Sequence, residues 1–90
     1  SLADFTPSVS TSLFCESAAH LATRLEQNGS PSAIEMAGEA RALEARFRHW
    51  ELAPPTRETR VASIQQLFEL NRRAMDFLSA RTSSIPPNRR

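Results

Sequence analysis

The sequence predicts an all-α fold: a small antiparallel three-helix bundle, open to completion by self-association. Three observations lead there. Prolines at 7, 31, 54, 55, 86 and 87, with the Asn28-Gly29 pair, leave three long stretches free of proline. Within each stretch, apolar residues recur at helical spacing, and no alternating strand pattern competes. The composition favours helix: Ala, Leu, Glu and Arg are plentiful, while Gly occurs twice and Tyr not at all. Ninety residues suit a single domain with one core. The organisation read from these marks is an N-terminal arm at 1–6, a bundle at 7–82 and a flexible tail at 83–90.

The first helix is expected over 7–28. Thr6 can cap it, and Pro7 suits the first helical position, where a missing N–H costs nothing. Leu13, Phe14, Ala18, Leu21, Ala22 and Leu25 share its apolar face. Gly29 ends it, because glycine enters the left-handed conformation cheaply. Before it, Leu2 and Phe5 belong to an arm expected to lie across the bundle.

The second helix is expected over 31–52. Ser30-Pro31 repeats the cap-then-proline pattern, and Ser32 with Glu35 offers a competing capping box. Met36, Ala40, Leu43, Phe47 and Trp50 make a narrow seam of coiled-coil type. Gly38, Ala42 and Ala45 form a small-residue strip on the opposite side, read either as a place of close approach or as surface alanines beside a tolerated glycine. Pro54-Pro55 ends the helix, since a residue before proline is pushed out of the α region.

The third helix is expected over 56–82, with Thr56 as cap and Glu58 in the first turn, where the helix dipole favours an acid. Val61, Ile64, Leu67, Phe68, Leu70, Ala74, Met75, Phe77 and Leu78 cover an arc of about 200° at 100° per residue. Pairs Glu69–Arg73 and Arg72–Asp76, like Glu44–Arg48 on the second helix, have the spacing of solvent-side ion pairs. An arc near 150° would serve two neighbours in a closed bundle, so the third helix carries a surplus. Leu70 and Phe77 lie on one flank of it, Val61 and Phe68 on the other. Asn71 falls inside the arc, where a buried amide can set register or simply bond a backbone carbonyl or water.

Chemistry-bearing residues are few. His20, in SAAHLATRL, invites comparison with a phosphotransfer histidine on a helical bundle. Bundles of that kind usually carry Lys and then Gly after the histidine, where this chain has Thr23 and Arg24. His49, beside Trp50, suits the helix C-terminus as a cation. Cys15 is the single cysteine, so no internal disulfide forms, and it lies about 140° round the helix from His20, which excludes a thiol–imidazole dyad by placement. No Cys/His cluster has metal-ligand spacing, no glycine-rich phosphate loop exists, and no cofactor or small-molecule substrate is suggested. The carboxylates Glu35 and Glu39 read as a wet face rather than an acid/base site.

A net charge of +1 sets up no global field for nucleic acid or an anionic membrane. All eleven basic residues are Arg, which reflects either a GC-rich coding sequence or selection for planar bidentate contacts. Those at 41, 46, 48, 57 and 60 are interleaved with glutamates, so a salt-bridged surface is expected over a nucleic-acid face. No apolar run approaches the ~18 residues of a membrane span. No secretory leader is read at the start, and an initial Ser in place of Met allows for an excised domain. The lone thiol suits a reducing, cytoplasmic setting.

The stretch AIEMAGEARALEARF, followed after a loop by SIQQLFELNRRAMDFL, resembles the helical hairpins of flagellar export chaperones over about half of the chain. The likeness is one of helix-forming residues at heptad spacing, and no residue role is carried over with it. The expected function is a non-catalytic helical protein–protein interaction module: an adaptor, secretion-chaperone-like or dimerisation domain. It would bury apolar helix surface against a protein partner, a second copy, or both. Trp50, Phe68, Leu70, Asn71 and Phe77 are the expected partner-binding residues. The alternative is a histidine phosphotransfer domain using His20.

Overall fold

The structure is a computed structural model that describes residues 7–83, with side chains from 11 to 80. The expected arm at 1–6, its Leu2 and Phe5, the Thr6 cap and the tail beyond 83 lie outside the described residues. Three helices make up the fold: α1 (Pro7–Asn28), α2 (Pro31–His49) and α3 (Arg57–Ser83), with no strand among the described residues. Short connections send the chain up, down and up again, so α1 and α3 run in the same direction and α2 against both.

Each end has an identifiable cause. Gly29 takes φ +80°, and its N–H reaches the Leu25 carbonyl at 3.3 Å, closing α1. The Asn28 side-chain oxygen accepts from the Ser30 N–H at 3.2 Å and tightens the turn. Ser30 caps α2 by accepting from the Ala33 N–H at 3.3 Å, so the competing Ser32–Glu35 box is not the cap. Thr56 caps α3 in the same way, accepting from the Thr59 N–H at 3.1 Å. α2 stops at His49, three residues short of expectation, because the N–H groups of Leu52 and Ala53 both turn back onto the His49 carbonyl. Pro54-Pro55 forces that early turn, and α3 begins one residue later than expected.

The core is built chiefly where α1 lies on α2. Ala18, Leu21, Ala22 and Leu25 of α1 meet Ala33, Ala37, Ala40, Leu43 and Phe47 of α2, all buried. Ala33, Ala37 and Ala40 make the α2 side of this seam small toward the α1–α2 turn, and larger residues fill the other end. There Phe14, Phe47 and Trp50 stack in sequence, with ring centroids 5.9 and 5.0 Å apart and the second pair edge to face. Leu67, Leu70 and Ala74 of α3 complete the core, with Ser63 buried beside them.

Several expectations are corrected by this packing. Ala37 rather than Met36 occupies the α2 seam, with Met36 half-buried at its edge. Leu13 is 60% exposed, because neighbouring positions on a helix diverge by about 100° and Phe14 takes the inward direction. Thr11, one turn earlier, is buried in its stead. The close-approach reading of Gly38, Ala42 and Ala45 does not hold. All three are exposed, and a Cβ built on Gly38 would meet nothing within 4 Å.

Candidate functional site

The three helix interfaces differ in how they are secured. On the α1–α2 side, Arg41 donates to Glu26 at 2.8 and 3.0 Å and to Glu44 at 2.9 Å, and Arg48 adds a second bond to Glu44 at 2.8 Å. Arg41 thereby holds both carboxyls below their usual range, its hydrogen bond being the largest cause in each. On the α2–α3 side, Arg46 donates to Ser63 and Gln66 at 3.2 Å each, and Arg73 to Glu39 at 2.7 Å. The expected Glu69–Arg73 pair is therefore replaced: Arg73 crosses to α2, and Glu69 pairs with Arg72, which also reaches Asp76 at 3.2 Å as expected.

The α1–α3 side is different. A weak contact links its side chains, from the Arg24 guanidinium to the Met75 sulfur at 3.8 Å. It is also the side where the helices touch least. A groove remains open along it. Ser17 of α1 and Leu67, Phe68 and Asn71 of α3 line a hollow of about 140 Å³. Phe68 stands at its rim, 62% exposed. Leu13 lies one turn before Ser17 on α1, and Val61 two turns before Phe68 on α3; both are exposed. Since α1 and α3 run parallel, Leu13 and Val61 extend the apolar strip in the same direction, toward the α2–α3 connection. There a shallow surface hollow is lined by Arg57, Glu58, Val61, Ala62 and Gln65, all from α3.

The expected partner-binding residues thus separate into groups. Trp50 and Leu70 are buried in the chain's own core, which corrects their expected place on a free surface. Trp50 packs edge to face on Phe47 and lies under the Arg60 guanidinium, 5.9 Å from its ring centre. Leu70 falls on the line from Leu67 to Ala74 that faces the other two helices. Phe77 is half-buried against the core. Asn71 is exposed at the groove rather than buried in the apolar arc. Only Phe68 offers a large apolar surface to solvent, and Leu13, expected in the core, joins it. A sequence clue to Leu13 existed: it sits 100° from Phe14, which continues the Ala18–Leu25 line better.

The groups capable of chemistry do not converge. His20 is exposed on α1. The Cys15 thiol points toward α2 and donates to the Glu44 carbonyl at 3.6 Å. No group of three or more His, Cys, Asp or Glu residues is placed to hold a metal ion among the described residues. No described helix is long and apolar enough to cross a membrane.

The chain matches no family model, no curated protein and no solved structure.

Proposed function

We propose that this chain is a helical protein-interaction module whose working surface is the α1–α3 groove, where Phe68, Leu13 and Val61 meet an apolar segment of another protein chain. One observation carries the reading: Leu13, Val61 and Phe68, the large exposed apolar side chains of α1 and α3, fall by helical spacing on the flank where these two helices meet, the side where the helices touch least. Scattered exposed aliphatic side chains are ordinary, as Leu52 and Ile34 are here. A contiguous strip between two helices is not, because it offers a partner helix a ready-made seat. Phe68 is the natural anchor, since an aromatic ring contributes much area for few rotatable bonds.

The test is photocrosslinking in the native cell. A benzophenone amino acid replaces Phe68 in one variant and Ala45, exposed on the side of α2 away from its seam, in another. The reading expects a discrete adduct from position 68 and none from 45. Adducts of equal yield from both positions, or none from 68, count against the groove as the working surface.

A further inference from the structure

The charges around the groove go further and specify the occupant. Among the described arginines, those at 41, 48, 72 and 73 have carboxylate partners. Arg46 bonds two side-chain oxygens of α3, and Arg60 lies over Trp50. Arg24 and Arg57 differ from these. Arg24 meets a thioether and no carboxylate among the described residues. Arg57 makes no ion pair there either, and it is the first residue of α3, where the helix dipole disfavours a cation. These two cations mark the opposite ends of the groove. Arg57 precedes Val61 by one turn. Arg24 contacts Met75, which lies one turn beyond Asn71. Eighteen residues of α3 separate Arg57 from Met75, which is about 27 Å at 1.5 Å per residue. Between them the side chains named as lining or extending the groove are apolar or uncharged: Leu13, Ser17, Val61, Leu67, Phe68 and Asn71. The hollow at the Arg57 end also holds the Glu58 carboxylate.

Resting on the proposed interaction role, we infer that the groove takes a partner's amphipathic helix of about five turns, apolar along one face and acidic at both ends. The acidic groups meet Arg57 and Arg24 while the apolar ridge covers Phe68, Val61 and Leu13. A second copy of this chain fits less well. Any two-fold pairing of the groove with itself sets Arg57 against Arg57 or against Arg24, so like charges meet at both ends.

The probes are two labelled synthetic helices, each with a leucine stripe at three- and four-residue spacing. One carries Glu about 18 positions apart at the stripe ends; the other carries Lys there. Binding to the full chain is read by fluorescence anisotropy at low salt. The acidic probe is expected to bind about tenfold more tightly, because two exposed charge pairs change from attraction to repulsion in the other. The double variant Arg24→Glu/Arg57→Glu should reverse that order. Phe68→Asp should abolish binding of both probes, with circular dichroism showing the helices intact. Equal binding of the two probes, lost on Phe68→Asp, overturns the acidic partner and leaves the groove as a docking surface. Failure of both probes to bind overturns the groove itself. A concentration-dependent dimer that Phe68→Asp dissolves makes the second copy the occupant and overturns the inference in that way.

Discussion

Two phenylalanines on neighbouring helices have opposite fates, and replacing each by alanine tests the fold most directly. Phe47 is fully buried, 0% exposed, between Phe14 and Trp50. Phe47→Ala removes its ring from the middle of that stack. Truncating a buried phenylalanine costs about 3–5 kcal/mol. Two ring contacts, each worth ~0.5–1.5 kcal/mol beyond burial, place this site toward the upper end. A domain of this size has roughly 5–10 kcal/mol in total, so a third or more of its stability goes. With a urea m-value of about 1–1.5 kcal/mol/M, the midpoint should fall by roughly 2–4 M. Phe68→Ala touches a ring that already faces water and should change stability by no more than about 0.5 kcal/mol. Urea titration followed by Trp50 emission and by circular dichroism measures both, and coincidence of the two signals checks two-state behaviour. Equal losses from the two variants, or a loss under about 1 kcal/mol for Phe47→Ala, would refute the placement of the core.

The two glycines should respond with opposite signs. Gly29→Ala forces a side chain into φ +80° and should destabilise by about 1 kcal/mol. Gly38→Ala, in open space inside α2, should stabilise by about 0.5–1 kcal/mol; paired thermal melts read both. Glu26 and Glu44 titrate below their ordinary 4.5 in the folded chain, chiefly because Arg41 hydrogen-bonds each. A depressed carboxyl contributes stability that is complete above its unfolded pKa and lost as pH falls through the folded one. Stability should therefore decline as pH drops below about 4.5, and Glu44→Gln should make that acid slope shallower in urea titrations. A protein of the proposed kind forms no phosphohistidine on incubation with acyl- or phospho-donors. Acid-labile label that disappears in His20→Gln would favour the phosphotransfer reading instead.

Much of the fold was legible in the sequence because it depends on local chemistry. Thr56 and Ser30 cap the helices they were expected to cap, Gly29 takes the left-handed turn, and the proline pair ends α2. These choices are made within a turn or two of chain, by hydrogen bonds and backbone sterics that no distant residue alters. Periodicity also placed Ala18, Leu43, Phe47 and Leu67 inside. It was less able to choose between adjacent apolar positions such as 13 and 14 or 36 and 37. Either member of such a pair continues the pattern, and the direction of the neighbouring helix decides.

What the sequence determined alone is the number of helices, their approximate spans and the residues that cap and break them, and the excess of apolar surface on α3. Which flank of that surface stays open was decided by tertiary packing. α2 lies against the Leu70 side and ties down there through Arg46 and Arg73, while α1 and α3 touch least, with the Arg24–Met75 contact a weak one. Helical spacing states which residues share a face; only the angles and separations between helices state which face is covered. Trp50 and Leu70 therefore belong to the core, and Phe68 and Leu13 to the surface.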